Sequence, residues 1–161
     1  MPEILLRPIA TEDDAAVAAI IRDVMPSFGA CGPGFALGDP EVDRMAEAYA
    51  APRSAYFVVE IEGRVVGGAG IAPLAGAAAD VCELRKMYFK AELRGLGAGT
   101  KLLNLCLEGA AKSGYRNCYL ETMDDMAQAR RLYSRHGFKY LKHPMGNTGH
   151  TSCGTWMVRE L

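Results

Sequence analysis

Residues 83–103 read ELRKMYFKAELRGLGAGTKLL, and this stretch decides how the rest of the chain is interpreted. It begins inside a predicted strand, residues 81–89, whose apolar and polar residues alternate until Lys86, which stands where an apolar residue belongs. If the alternation continued without interruption, the apolar residues Met87 and Phe89 would lie on the same face as the charged residues Glu83 and Arg85. Such a change of phase predicts a β-bulge in this strand, and bulges are common beside active sites.

A glycine-rich turn, residues 94–99 with the sequence RGLGAG, follows this strand and precedes an amphipathic helix. Glycines let the backbone approach an anion, and a helix N-terminus supplies free N–H groups and a partial positive charge. The turn has neither the spacing of a Walker phosphate loop nor that of a G-x-G-x-x-G dinucleotide turn. We interpret it as a phosphate or pyrophosphate site; the alternative is a tight turn whose glycines serve packing alone.

The surrounding periodicity predicts one α/β domain, residues 1–161, with a mixed sheet. A length of 161 residues fits a single domain, since domains average about 150 residues. Strands are predicted at residues 4–9, 55–61, 65–71, 81–89, 118–122, 138–141 and 155–158. Helices are predicted at residues 11–25, at 39–50, from the glycine-rich turn to 113, and at 124–135.

Composition narrows the class of protein further. The chain has 18 Lys and Arg against 19 Asp and Glu, whereas a dedicated nucleic-acid-binding domain is usually strongly basic. No run approaches the roughly 18 apolar residues of a membrane span, and the first residues lack the apolar segment of a signal peptide. Five widely spaced cysteines predict reduced thiols rather than a disulfide framework. We therefore expect a cytoplasmic protein without nucleic-acid or membrane partners.

A second stretch, residues 120–140, reads LETMDDMAQARRLYSRHGFKY, and the two stretches together resemble the GNAT N-acetyltransferase superfamily. The first resembles its central strand, R-x-x-G-x-G pyrophosphate loop and helix, and the second carries its recurrent A-x-x-L-Y-x-x-x-G-F segment. The resemblance runs from Leu6 to the C-terminus and is closest to small bacterial members, including those found fused to MarR-type regulators. No DNA-binding segment is apparent, so we expect no such regulatory role.

The resemblance implies the GNAT fold, a mixed, mostly antiparallel central sheet with a bulged central strand, flanked by about four helices. It also implies acetyl-CoA as the acetyl donor, bound by two segments of the chain. Backbone N–H groups of the loop would bind the pyrophosphate, at Arg94, Gly95, Leu96, Gly97, Ala98, Gly99 and Thr100. The edge of the central strand would pair with the pantetheine arm through Met87, Tyr88 and Phe89. A backbone N–H near the bulge would then hold the charge that develops on the thioester oxygen.

Two catalytic roles follow from the same resemblance. Tyr133 corresponds to the helix tyrosine that often protonates the departing CoA thiolate, and the alternative is a tyrosine packed in the core. Glu83 precedes Arg94 by eleven residues, the spacing of histone-type members whose glutamate is the general base. The alternative for Glu83 is a strand glutamate that is solvated or paired with Arg85.

The acceptor side carries further candidates. His150 lies before the last predicted strand, in a loop that often borders the acceptor pocket in this fold, and is a second candidate base. With His143 and Cys153 it lacks the paired spacing of zinc ligands, so we expect no metal. Three aromatic residues are candidates to shape the acceptor pocket or to form core, namely Phe28, Phe35 and Tyr49. Arg130, Arg131, Arg135 and Lys139 form a basic cluster, read either as a contact for the CoA 3′-phosphate or as a solvated helix face.

Together these features predict an acetyl-CoA-dependent N-acetyltransferase that transfers acetyl directly to an amine of a small molecule or amino acid. The alternatives are an acyl-CoA-binding sensor of the same fold without turnover, a protein or peptide acetyltransferase, and an unrelated phosphate-binding domain. The amine acceptor is not identified by any sequence feature, and homodimerisation, common in this fold, stays open.

Overall fold

The computed structural model of the protein describes residues 3–27, 40–93, 95–122, 126–148 and 154–161. These residues form seven strands: β1 (Ile4–Pro8), β2 (Ala55–Ile61), β3 (Arg64–Pro73), β4 (Val81–Phe89), β5 (Asn117–Thr122), β6 (Lys139–Leu141) and β7 (Thr155–Glu160). They also form four α-helices: α1 (Asp14–Ser27), α2 (Met45–Ala48), α3 (Ala98–Lys112) and α4 (Ala127–Arg135). Short 3-10 turns occupy Thr11–Asp13, Pro40–Asp43 and Ala91–Leu93.

All seven strands belong to one sheet with the order β1-β2-β3-β4-β5-β7-β6. Neighbouring strands are antiparallel throughout, except that β4 and β5 run parallel, joined by α3. The predicted mixed, mostly antiparallel sheet with about four helices is therefore confirmed. The predicted strand bounds lie within two residues of the observed ones.

Helices cover both faces of the sheet. On one face, α3 and α4 pack on β2 through Val59 and Ile61, and on the other α1 and α2 pack on Tyr56 and Val58. This division follows from strand alternation, because successive side chains of β2 point to opposite faces. The buried residues of α3 include the set that its spacing predicts, Leu102, Leu103, Cys106 and Ala110.

The predicted β-bulge is present in β4. Gly68 of β3 pairs with Tyr88, and Gly70 pairs with Arg85, so a step of two residues on β3 spans three on β4. Lys86 adopts a φ of 50°, a left-handed conformation that is uncommon for a residue other than glycine. Lys86 is therefore the bulge residue that its misplaced polarity predicts.

The bulge returns the apolar side chains of β4 to one face. Strict alternation would place Met87 and Phe89 beside Glu83, but both pack against the α3 and α4 core that also contains Cys82 and Leu84. The extra residue shifts the phase of the strand by one, and every later side chain changes face. The opposite face of β4, on the side of α1 and α2, carries the ion-paired Glu83 and Arg85 before the bulge and Tyr88 after it.

Three predicted helices differ from the structure. The helix expected at residues 11–25 begins with the 3-10 turn Thr11–Asp13, and α1 covers Asp14–Ser27. The helix expected at residues 39–50 is a 3-10 turn followed by the single turn of α2, because Arg44 between them leaves the helical region with φ −142° and ψ 47°. The predicted start of the last helix at residue 124 lies outside the described residues, and α4 begins at Ala127. No helix within the described ranges has both the length and the apolar character needed to cross a membrane.

The buried thiols and phenols of the core predict a loss of stability in alkaline solution. Burial raises the pKa of Cys106, Tyr56 and Tyr133 in the folded protein. In the unfolded chain these groups ionise near pH values of about 9 and 10. The folded state then holds more protons than the unfolded state, so these groups lower the free energy of unfolding as pH rises above about 9 and do not change it at lower pH.

We expect denaturant unfolding to show a decline of at least about 1.4 kcal/mol per pH unit above pH 10 or so, the value for one fully titrating group. The reference is the same measurement around neutral pH, where these groups are protonated in both states. A free energy of unfolding that stays constant into alkaline solution would show that these side chains are hydrated in the folded protein.

Candidate active site

The parallel strands β4 and β5 part soon after they begin. Only Val81, Cys82 and Glu83 of β4 pair with β5, opposite Asn117, Cys118 and Tyr119. Beyond these pairs β4 continues to Phe89 and β5 to Thr122, and the described residues show no further pairing between the two strands. We call the gap between residues 84–89 and residues 120–122 the cleft. It exposes strand edges whose backbone N–H and C=O groups can bind a ligand.

Backbone alternation identifies which residues of β4 face the cleft. The N–H of Lys90 donates to the carbonyl of Val66 in β3, at 2.8 Å. Because backbone groups alternate between the two edges of a strand, Tyr88 also faces β3, whereas Met87 and Phe89 face the cleft. Of the three residues predicted to pair with a pantetheine arm, this geometry favours Met87 and Phe89 over Tyr88.

The glycine-rich turn lies between β4 and the N-terminus of α3. Gly95 and Gly97 have φ values of 77° and 74°, and Gly97 is the N-cap residue of α3. A Cβ atom built on either glycine would meet nothing within 4 Å, so it is the backbone conformation that requires glycine there. At Gly99 a Cβ would lie 3.3 Å from Leu132 of α4, so this glycine lets the two helices pack closely. The turn thus presents free N–H groups at a helix N-terminus, as an anion site requires.

The other predicted residues of this turn differ in burial. Thr100 is exposed, Leu96 is half-buried, and Ala98 is buried. Leu96 and Ala98 pack with the α3 and α4 core, so their side chains are not available to a ligand. The N–H of Leu96, predicted to bind the pyrophosphate, instead donates to the carbonyl of Leu93 at 3.3 Å, because the two residues form a tight turn. Arg94, also predicted to bind the pyrophosphate, lies outside the described residues.

Tyr133 on α4 is buried among core residues, with 6% of its surface exposed. Its ring packs edge-on against Phe138, with the ring centres 5.8 Å apart. Its hydroxyl has no hydrogen-bond partner among the described residues. Burial, and next the thiols of Cys106 and Cys118, raise the pKa of Tyr133, so the phenol stays protonated well above neutral pH. The side chain is thus both a core residue and a protonated acid, and the geometry is compatible with either interpretation.

Glu83 and Arg85 form an ion pair on the face of β4 that looks toward α1 and α2. Nε of Arg85 donates to Oε1 of Glu83 at 2.6 Å, and Nη2 donates to the carbonyl of Pro73 at 3.1 Å. Only 4% of the Glu83 side chain is exposed. Burial, the largest single cause, lowers the pKa of Arg85, but the charges and hydrogen bonds of Glu83 and Tyr49 together raise it by more, so the guanidinium stays charged. Glu83 is thus paired with Arg85, as one alternative foresaw.

Tyr49, predicted for the acceptor pocket, lies in the α1 and α2 core with its ring 5.3 Å from that of Tyr56. Its hydroxyl is fully buried and makes no hydrogen bond of good geometry. Burial, and next the charge of Glu41, raise the pKa of Tyr49 well above its usual value. Arg85 acts in the opposite sense, so the hydroxyl lies near both charged groups. Phe28, Phe35 and His150 lie outside the described residues.

A carboxylate that the sequence interpretation missed, Glu121, lies on β5 beside the cleft. It shares the face of Glu83, because Glu83 pairs with Tyr119 and Glu121 follows two residues later. The hydroxyl of Tyr119 donates to its Oε2 at 2.7 Å, and that of Thr148 donates to its Oε1 at 2.6 Å. The available signal in the sequence was the single acidic residue of the strand NCYLET.

The predicted basic cluster lines a pocket on the outer side of α4. The pocket has a volume of about 320 Å³ and is formed by Ala127, Arg130, Arg131, Ser134, Arg135 and Tyr140. Lys139 is not part of its lining. Within the described ranges, no three His, Cys, Asp or Glu side chains come together as metal ligands would.

Comparison with known proteins assigns the chain to a family. Residues 17–138 match the model of the acetyltransferase (GNAT) family. The chain is 42% identical over 158 residues to YjgM, an uncharacterized N-acetyltransferase of Escherichia coli K12, covering 98% of this chain and 95% of that protein. The chain therefore belongs to the acetyltransferase (GNAT) family, and the recognition made from its two motifs is confirmed.

Solved structures show the same fold. A GNAT-family acetyltransferase from Staphylococcus aureus Mu50 superposes with a TM-score of 0.86 at 18% identity, covering 99% of both chains. The structure of YncA from Salmonella typhimurium with acetyl-CoA superposes with a TM-score of 0.75 at 21% identity, covering 99% of this chain and 94% of that one. At sequence identities of 18% and 21%, the structural similarity establishes the fold but does not identify the amine acceptor.

Proposed function

We propose that the protein is an acetyl-CoA-dependent N-acetyltransferase that transfers acetyl directly to an amine of a small molecule or amino acid. The observation that carries the proposal is the parting of β4 and β5 next to the glycine-rich turn at the N-terminus of α3. Strand edges and an anion site then lie in line, as an extended donor with a pyrophosphate at one end requires. The similar structure of YncA, determined with acetyl-CoA, supports this choice of donor.

Each segment has a separate part in binding the donor. The N–H groups of Gly95 and of residues 97–100, and Arg94 before them, would hold the pyrophosphate at the helix N-terminus. The cleft-facing carbonyl of Met87 and the backbone groups of Phe89 would pair with the amide groups of the pantetheine arm. That pairing would bring the thioester alongside the bulge at Lys86, where a backbone N–H would hold the developing negative charge.

The transfer needs a base and an acid on opposite sides of the thioester. An amine is protonated at neutral pH, so Glu83 would take its proton, directly or through water, with His150 as the other candidate. As the new C–N bond forms and the C–S bond breaks, sulfur leaves with the electron pair. Tyr133 would donate its proton to that sulfur, and burial keeps it protonated for this step.

A cytoplasmic location belongs to the same proposal. Cys82, Cys106 and Cys118 are free and buried, and Cys82 and Cys118 are direct neighbours in paired strands. Oxidising compartments favour paired cysteines, so free thiols that lie side by side support a reducing environment.

Calorimetric titration of the protein with acetyl-CoA, and with free CoA as the comparison, tests the donor site. Saturable binding of both is expected, and a panel of small amines and amino acids is then screened by release of free thiol. Binding of both without turnover on any amine would favour the acyl-CoA sensor instead. If the folded protein binds neither acetyl-CoA nor CoA, the proposal is refuted.

The variant Gly97→Ala is expected to weaken CoA binding at least about tenfold. Alanine at positive φ is strained by roughly 1 to 2 kcal/mol. Relaxation of that strain would turn the N–H groups at the start of α3 away from the pyrophosphate. Calorimetric titration with CoA measures the effect.

Gly114→Ala supplies the matched control. Gly114 follows the other end of α3, has a φ of 87°, and likewise has nothing within 4 Å of a built Cβ. Both variants should lose similar free energy of unfolding, but only Gly97→Ala should lose affinity. Equal CoA affinity in the two variants would show that the turn has only a structural role and does not bind the pyrophosphate.

A further inference from the structure

The bulge in β4 must be held in place by its surroundings. Lys86 adopts a φ of 50°, which costs a residue other than glycine free energy that the surrounding structure has to supply. If the bulge places the N–H that polarises the thioester, then whatever fixes the bulge also sets the geometry of the reaction. This reasoning rests on the proposed function.

Tyr56 of β2 reaches across the sheet to the bulge. Its hydroxyl donates to the carbonyl oxygen of Lys86 at 2.8 Å, in a buried hydrogen bond. The side chain starts two strands away, and only 3% of Tyr56 is exposed. Burial raises the pKa of Tyr56 well above its usual value, so the hydroxyl remains a donor.

Glycines in the intervening strand make room for this contact. A Cβ built on Gly68 would lie 2.6 Å from Cε1 of Tyr56, and one built on Gly70 would lie 2.5 Å from Cδ2. No side chain other than hydrogen fits at either position without moving the ring. The Tyr56 ring therefore lies flat over β3, and β3 is free of side chains where the ring crosses it.

The side chain of Lys86 is held as well. Its Nζ lies 3.2 Å from Oε2 of Glu41, and 2% of the side chain is exposed. The bulge residue is thus bound at its carbonyl by Tyr56 and at its ammonium group by Glu41. The two partners come from distant parts of the chain and converge on one residue.

The hydrogen bond to the Lys86 carbonyl also orients the next N–H. The carbonyl of Lys86 and the N–H of Met87 belong to one planar trans peptide group and point in opposite directions. Since the carbonyl is drawn toward Tyr56, on the side of β2 and β3, the N–H of Met87 is directed away from them, toward the cleft. Backbone alternation from Lys90 assigns Met87 to the cleft independently.

We propose that Tyr56 is a positioning residue for acetyl transfer: its hydroxyl fixes the peptide group between Lys86 and Met87, and so aims the Met87 N–H at the thioester oxygen. Tyr56 does not touch the reacting atoms in this role. It acts only through the orientation of one peptide group.

The variant Tyr56→Phe removes the hydroxyl and keeps the ring over β3. We expect kcat to fall about tenfold, less than the loss of an oxyanion donor outright. The KM for acetyl-CoA should change less than about twofold, because the pyrophosphate and pantetheine contacts remain. The acceptor is whichever amine gives turnover in the panel described above.

Tyr115→Phe is a close control. Tyr115 is also buried, and its hydroxyl donates at 2.9 Å to the carbonyl of Arg53, another residue with positive φ, of 60°. The variant Tyr115→Phe therefore loses the same kind of hydrogen bond, between two residues that lie outside the cleft. Equal kcat in Tyr56→Phe and Tyr115→Phe, with the wild type active, would overturn the positioning role alone.

The infrared carbonyl band of isotope-labelled acetyl-CoA bound to the protein gives a direct readout of polarisation. In the wild type and Tyr115→Phe the band should lie at lower wavenumber than in solution, and in Tyr56→Phe it should return toward the solution value. An unshifted band in the wild type would overturn the inference without any variant. Failure of the wild type to bind acetyl-CoA would overturn the proposed function and this inference together.

A second comparison covers the case in which Tyr56→Phe does not fold. In Lys86→Gly the bulge residue adopts positive φ without strain, and its carbonyl still accepts the Tyr56 hydrogen bond. Adding Tyr56→Phe to this background should lower kcat about tenfold relative to Lys86→Gly alone. The same kcat in both would contradict the proposal.

Discussion

Replacement of Tyr133 by Phe is expected to lower kcat about 100-fold while leaving CoA affinity within about twofold, since a positioned acid contributes on that order. The hydroxyl has no hydrogen-bond partner among the described residues, so its removal should change the free energy of unfolding by less than about 1 kcal/mol. The packing against Phe138 is kept. Steady-state kinetics, calorimetric titration with CoA and thermal unfolding measure the three quantities.

These measurements separate the two interpretations of Tyr133. A residue that serves only the core predicts unchanged kcat in Tyr133→Phe, as in the control Tyr115→Phe, and that result would refute the acid role. The pH dependence adds a second criterion. Because the pKa of Tyr133 is raised by burial, ionisation of the acid should not lower kcat at any pH up to about 10, the ordinary value of a phenol.

Replacement of Glu83 by Gln is expected to lower kcat/KM about 100-fold, because the amide cannot take a proton from the amine. Glutamine keeps an oxygen that can accept from Nε of Arg85, so the buried contact is weakened but not left open. The loss should be largest near neutral pH, where the amine is protonated and depends on the base. At alkaline pH, where the free amine is already present, the variant should approach the wild type.

Glu121→Gln is the matched variant on the neighbouring strand. Glu121 also lies beside the cleft, on the same face, with its carboxylate fixed by two hydroxyl donors. We expect its kcat/KM to stay within about threefold of the wild type, which is well below the contribution of a general base. If Glu121→Gln shows the large, pH-dependent loss and Glu83→Gln does not, the base is Glu121.

Local patterns were enough to predict most of the fold. Apolar runs and alternation predict the strands, and the misplaced polarity of Lys86 identifies the bulge, because without one Met87 and Phe89 would leave the face that packs on α3 and α4. The length of the helix that contains α2 was overestimated, because no feature of the sequence shows that Arg44 departs from helical geometry. Helix ends of this kind depend on contacts made elsewhere in the structure.

Candidate site residues could be named from the sequence only where one segment carries the motif. The glycine-rich turn and Tyr133 lie in continuous motifs, so their sequence neighbours indicate them as candidates. Tyr56 and Glu41 contact Lys86 but precede it by 30 and 45 residues in the sequence, so no local sequence pattern predicts these contacts. Glu121 was missed for a related reason: Glu83, which shares its face of the sheet, lies on a strand that α3 separates from β5 in sequence.

The short pairing between β4 and β5 also has a mechanical consequence. Strands β1 to β4 and strands β5, β7 and β6 form two half-sheets, and three residue pairs join them. Beyond those pairs, the backbone groups along the two inner edges do not pair with the facing strand among the described residues, so they need partners from solvent or from a ligand. A donor that bonds to β4 and rests on the start of α3 would supply such partners. The acetyl donor would then be a structural member of the sheet as well as a reactant.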